Sequence, residues 1–205
     1  MRRYTGRQKR KSRAFRINFL IVTEGQNTEP DYFSCIRALA EFCPDHVNLI
    51  VRTPHGNRSD PKSILQKMKA EYGSRIIDKR DQAWIVIDRD QHDQKALRDL
   101  ITWEREDEKN HLAMSNPRFE LWLLWHFEES LNIDGLSRYG LIDDKKHIPS
   151  CHHITQASVN LAIERAKRYY YQALSTTGQP VFPPENTSTV FRLLEALTRA
   201  ASKQL

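Results

Sequence analysis

The chain has 205 residues, 39% of them hydrophobic and 28% charged, the balance of a soluble protein with enough apolar content for one sizeable core. No apolar run approaches the ~18 residues that a membrane-spanning helix needs, and the basic amino terminus is not followed by the apolar stretch of a secretory signal. The net charge of +6 belongs to residues 1–16, which carry eight Lys or Arg and no acid; the rest of the chain sets 24 bases against 26 acids.

That tail reads as a flexible arm suited to lie along phosphates and release their counterions, although a solubilising or partner-docking segment has the same composition. Three cysteines, Cys35, Cys43 and Cys151, are too few and odd in number for a disulfide framework, which points to a reducing cytoplasm.

Ile17 to Val22 places five apolar residues in six positions and predicts a buried strand, which runs into the polar turn Glu24-Gly25. A helix opens at Thr28-Glu29-Pro30 and keeps helical spacing through Tyr32, Phe33, Ile36, Leu39 and Ala40 to Phe42, with Pro44 beyond its end. Val47 to Val51 is a short second strand, followed by a polar loop, Thr53 to Asp60. Asp60-Pro61 caps a second helix with Ile64, Leu65 and Met68 on one face, and Gly73 is expected to stop it.

Ala83 to Asp88 is a third buried strand, ending in Asp88-Arg89-Asp90. Asp93 to Glu108 is a charged helix with Ala96, Leu97, Leu100 and Ile101 as its inner stripe, and His111 to Met114 is a fourth strand. Ser115-Asn116-Pro117 then caps an apolar helix from Phe119 to Phe127, whose Phe119, Trp122 and Trp125 have the spacing of core residues rather than of a base-stacking platform. Residues 132–153 are loop-rich. Two amphipathic helices, about Thr155 to Leu174 and Ser188 to Lys203, flank a Pro-, Gly- and Thr-rich stretch from Ser175 to Asn186.

The alternation predicts an α/β fold, a mostly parallel sheet with helices on both faces. Its organisation is a basic tail at 1–16, an α/β core at 17–130, and a loop-rich segment with carboxy-terminal helices at 131–205 packed on that core. Right-handed crossovers put Glu24, Asp88, Asp90 and Asn116 on one edge, where open α/β sheets build their sites. Carboxylates converging there would repel one another unless a divalent cation neutralised them. Oxygen-only ligands suit Mg²⁺ or Mn²⁺. Two such ions about 4 Å apart can clamp the attacking and leaving oxygens of a phosphodiester; one ion with a Lys or Arg can do part of that work. Glu29 has a plainer reading as a first-turn acid that favours the helix dipole.

The blocks IVTEGQNTEPDYF, WIVIDRDQHD and MSNPRFELWLLWHF occur in that order across residues 17–128, and ENTSTVFRLLEAL follows near the carboxy terminus. Together they resemble the RloB-like family, Toprim-fold proteins of bacterial restriction and abortive-infection loci. The Toprim fold is shared by type IA and II topoisomerases, bacterial primases and OLD-type nucleases. It uses a Glu after its first strand and an Asp-x-Asp after its third to bind Mg²⁺, and Glu24, Asp88 and Asp90 match those positions. Glu29 matches the second Glu of a Glu-Gly-x-x-Thr-Glu block, one residue longer than the similar OLD-type block, and is either a second metal ligand or a base that orients water. Asn116 and Glu120 belong to the third block. Glu120 is either a second-metal ligand or a carboxylate bonding the amides of its own helix start.

Arg89 and Arg118 flank these acids and either hold a substrate phosphate or pair with a neighbouring carboxylate. His55 is a candidate for phosphate contact or proton transfer, its default being an exposed loop histidine. His147, Cys151, His152 and His153 match no closed four-ligand zinc pattern. The resemblance implies a metal-dependent nuclease that cuts DNA or RNA in cytoplasmic anti-phage defence, with an ABC-type, OLD-like ATPase as partner and homo-oligomerisation as an option. Nucleotidyl transfer is a rival chemistry, but the template-binding domains it needs have no counterpart in this chain. A second rival is a non-catalytic sensor or scaffold that binds nucleic acid or a partner and uses the carboxylates only to hold metal.

Overall fold

The computed structural model of the protein describes residues 16–54, 56, 59–89, 92–131, 151–178 and 180–203. The basic tail before Arg16, His55, Asp90 and His147 lie outside the described residues. Four parallel strands, β1 (Ile17–Thr23), β2 (Val47–Arg52), β3 (Gln82–Asp88) and β4 (Asn110–Asn116), and a short β5 (Thr187–Ser188) form one sheet in the order β2-β1-β3-β4-β5. Only β5 is antiparallel, with Ser115 opposite Ser188 and Asn116 opposite Thr187.

Because β1 and β3 are apolar at nearly every position, both faces of the sheet must be covered, and they are. Phe19 and Ile21 of β1 and Trp84 and Val86 of β3 face a core built from α1 (Thr28–Arg37), α4 (Phe119–Leu124), α5 (Gln156–Thr177) and α6 (Val190–Ser202). The alternate residues Leu20, Val22, Ala83, Ile85 and Ile87 face α2 (Pro61–Arg75) and α3 (Gln94–Glu106), which contribute Ile64, Met68, Leu97, Leu100 and Trp103. Each fully buried Leu or Phe stabilises the fold by roughly 1.5–3 kcal/mol relative to an exposed one. The architecture is an α/β, Toprim-like fold with a mostly parallel sheet. Among the described residues no helix is long and apolar enough to cross a membrane.

Several boundaries differ from the sequence reading. The first helix stops at Arg37, short of Phe42, because the chain tightens into turns in which the N–H groups of Ala38, Leu39 and Phe42 bond carbonyls three residues back. Leu39 and Phe42 still reach the core from that turn. Gly73 lies inside α2 rather than at its end, and the Glu71 carboxylate pairs with Lys67 and Arg75 on either side of it. Ser115 and Asn116 are strand residues, not caps, and the Asn116–Pro117 peptide is cis. The apolar helix ends at Leu124, and the Trp125 carbonyl beyond it accepts a bond from the Arg165 guanidinium of α5 at 2.6 Å. Thr187-Ser188 joins the sheet before α6 begins.

The cysteine reading needs correction. Cys35 of α1 and Cys151, at the start of a 3-10 turn (Cys151–His153), form a disulfide across 116 residues, and Cys43 is the free thiol. An odd total leaves room for one pair, and the fold carries the segment before α5 back over α1.

Two further contacts hold the frame. His126, buried beneath α4, donates through Nδ1 to the Trp122 carbonyl at 3.0 Å, which leaves its Nε2 lone pair to accept the Tyr32 hydroxyl at 3.2 Å. Burial holds this imidazole neutral and pushes it down to about 4. On β4, the Met114 N–H is taken by Thr189 Oγ1 and the Leu112 N–H by Glu104 Oε1, so side chains finish most of what the two-residue β5 leaves open.

Candidate functional site

β1 and β3 are neighbours in parallel register, Thr23 opposite Val86, so β3 runs two residues past the end of β1 at the same edge of the sheet. The Glu24 N–H continues the ladder one residue further, to the Val86 carbonyl at 3.0 Å. The Glu24 side chain then turns toward β3. Its Oε2 accepts the main-chain N–H of Asp88 at 2.9 Å, and its Oε1 lies 2.9 Å from His92 Nε2. A carboxylate oxygen here can only accept, so His92 presents Nε2–H to it. Glu24 is 8% exposed, an anion taken largely out of water by its place between two strand ends.

His92 is a site residue that sequence reasoning missed. Its signal was present, since it is the last residue but one of the block WIVIDRDQHD, four positions after Asp88, in the loop where a strand end delivers side chains to the edge.

Glu29 comes to the same place from the first turn of α1. Its Oε1 accepts the Gly25 N–H at 3.1 Å, and Thr23 Oγ1 donates to the Gly25 carbonyl at 3.0 Å, which closes the turn between β1 and α1. Gly25 leaves room for this contact: a Cβ at this position would meet the Glu29 carboxylate and displace it. With Glu29 only 5% exposed, burial raises its carboxyl to about 7. The charges of Glu120 and Glu24 add to that rise, while bonds from backbone N–H groups oppose it. Glu24, Glu29 and Glu120 therefore form one electrostatic cluster.

The remaining sequence candidates divide. The main-chain N–H of Arg89 bonds the carbonyls of Ser115 and Pro117, tying the end of β3 to the end of β4. Its guanidinium stacks on Phe182 at 5.1 Å and donates to the His92 carbonyl at 3.1 Å, so it lies beside the cluster. Asn116 Nδ2 donates to the Pro183 carbonyl at 2.9 Å and anchors the segment before β5. Arg118 is exposed at the amino-terminal cap of α4. His152 and His153 are exposed on the 3-10 turn, and the His153 ring meets Phe127 edge to face at 6.3 Å.

Among the described residues no group of three or more His, Cys, Asp or Glu side chains stands ready to hold a metal ion, and Asp90 is outside them. The donor chemistry nonetheless fits a hard divalent cation. Glu24, Asp88, Glu29 and Glu120 offer oxygen alone, and the like charges that push Glu29 up are what such a cation relieves.

A protein-family model described as RloB-like protein matches residues 19–197. No curated protein and no solved structure matches the chain.

Proposed function

The chain belongs to the RloB-like family, and on that premise we propose that it is a metal-dependent nuclease of Toprim type. It cleaves phosphodiester bonds of DNA or RNA in cytoplasmic anti-phage defence, together with a partner ATPase. The observation that carries this reading is the meeting of Glu24 with the end of β3 at Asp88, on the carboxyl edge of the sheet, with Glu29 crowded beside it.

Glu24, Asp88 and Asp90 would hold Mg²⁺ or Mn²⁺, whose charge offsets the negative charge that builds on the cleaved phosphate. His92 fixes the orientation of Glu24 from outside the ligand set. Glu29, poised near neutral pH, accepts the proton of the attacking water; burial, with the charges of Glu120 and Glu24 in support, keeps it basic enough to do so. Arg89 and Arg118 contribute positive charge to the incoming phosphate, and the basic tail adds affinity that does not depend on sequence.

The test is incubation of the purified protein and its partner ATPase with Mg²⁺ or Mn²⁺ and DNA, transfer RNA or messenger RNA. Cleavage that disappears in Asp88→Ala, with partner binding retained, supports the nuclease. Metal binding without cleavage of any of the three would instead make the protein a scaffold.

A further inference from the structure

We propose that the amino edge of the sheet, opposite the carboxylates, is a second nucleic-acid contact surface that grips the phosphate backbone. Because β1, β3 and β4 run parallel, their first residues lie along one edge. There Lys79 and Arg80 before β3, Lys109 before β4, and Arg199 and Lys203 at the end of α6 line one cavity of about 400 Å³. Only two acids share that lining, Asp81 and Glu108, and one of them is committed elsewhere. Asp81 is buried and accepts the main-chain N–H groups of Asn18, Ile77 and Asp78 at 2.8–2.9 Å. Arg80 is paired with Asp78 at 3.0 Å. Among the described residues, Lys79, Lys109, Arg199 and Lys203 have no carboxylate within salt-bridge distance. Among the described residues, four cations thus line one cavity without an ion pair.

The covalent path of the chain adds to this charge. Ile17, the first residue of β1, lines the same cavity, and Arg16 before it is exposed. Arg16 therefore adds a cation at this edge and not at the carboxylate edge.

The chemistry selects a phosphate backbone over an acidic protein. Only Ile17, Ala196 and Ala200 in the lining are apolar, so no large hydrophobic anchor pocket of the kind that carries protein–protein affinity is present in it. Separated Lys and Arg point charges suit repeated phosphates, which position a nucleic acid without reading its sequence. Strands of seven residues at ~3.3 Å each set the two edges ~23 Å apart, or about seven base pairs of duplex at ~3.4 Å each. A nucleic acid held at the amino edge then needs at least about that length to reach the carboxylates as well.

The inference rests on nucleic acid being the substrate, yet the two readings can fail separately, because binding is measured without cleavage. In EDTA, fluorescence anisotropy reads the affinity of the full chain for labelled DNA and RNA of about 30 nucleotides, between about 50 and 200 mM salt. The variant Lys79→Glu/Lys109→Glu/Arg199→Glu is expected to bind about 10-fold or more weakly, with a salt slope shallower by about 2 to 3. The charge-neutral variant Lys79→Gln/Lys109→Gln/Arg199→Gln should shift both in the same direction by less, and it serves if the Glu variant fails to fold. Unchanged affinity and slope in the folded variants overturn the proposal. So does a loss of binding to polyglutamate in place of the oligonucleotides, which would assign the edge to an acidic protein. Oligonucleotide binding that depends on these residues, with no cleavage when Mg²⁺ is restored, leaves this surface standing and removes the nuclease reading.

Discussion

Glu24 Oε2 accepts the main-chain N–H of Asp88 at 2.9 Å, so a single side chain holds the ends of β1 and β3 in step. Glu24→Gln keeps an acceptor for that N–H and removes the charge; Asp88→Ala removes a carboxylate and keeps the N–H. Both are expected to abolish metal-dependent cleavage while Tm moves by no more than about 4 °C, the shift that about 1 kcal/mol produces in a domain of this size. A collapse of Tm in Asp88→Ala would assign the residue to the fold.

His92 should act through Glu24. His92→Ala is expected to weaken metal affinity or cleavage by about 10- to 100-fold, the usual cost of losing a residue that orients a ligand. His92→Gln restores an N–H donor and should recover part of that loss. A Mg²⁺ titration of cleavage separates the variants, and equal defects in both would rule out an orienting hydrogen bond.

Gly25→Ala drives a methyl group into the Glu29 carboxylate. The cost should be about 1–3 kcal/mol in urea denaturation, with cleavage lost as Glu29 is displaced. In a Glu29→Ala background the collision disappears, so the same Gly25→Ala change should cost under about 0.5 kcal/mol. Additive costs in the double-mutant cycle would show that the two residues do not meet.

His126 makes stability depend on pH with a definite sign. Its folded value of about 4 lies below the ordinary 6.5, so the unfolded chain binds the extra proton between those values. The contribution is complete above about 6.5 and is lost as pH falls through about 4, amounting to roughly 3 kcal/mol. Glu29, raised to about 7, titrates across nearly the same range with the opposite sign, so in a Glu29→Gln background urea midpoints taken in EDTA should flatten on adding His126→Gln. A slope that survives the substitution would point to another group.

The Cys35–Cys151 bond closes a loop across 116 residues and should stabilise the fold by about 2–4 kcal/mol. Reductant is therefore expected to lower Tm in the parent chain and to leave Cys35→Ser/Cys151→Ser unmoved. Identical Tm with and without reductant would mean that the pair is reduced in solution.

The sheet and its loaded edge were legible because their signals are local and strong. The apolar runs at Ile17 and Ala83 admit little besides buried strands, and the acids that follow each run fall on the edge that parallel connections dictate. What stayed hidden depends on contacts between distant residues. Thr187-Ser188 is a strand only because β4 offers a partner, and the apolar helix stops at Leu124 where Arg165 claims the next carbonyl. The disulfide required knowing that residue 151 returns over α1. His92 was overlooked because a loop histidine carries no periodicity to distinguish it, and only its contact with Glu24 marks it.

The side chains of Thr189 and Glu104 occupy amide hydrogens along the outer margin of β4 that a sixth strand would otherwise use. A further strand would find fewer free amide hydrogens on that side, where β5 is the last strand, while β2 is the last strand on the other. If copies of this protein were ever to join strand to strand, β2 would be the better seam, and the pairing would bring two β2 edges together about a twofold axis.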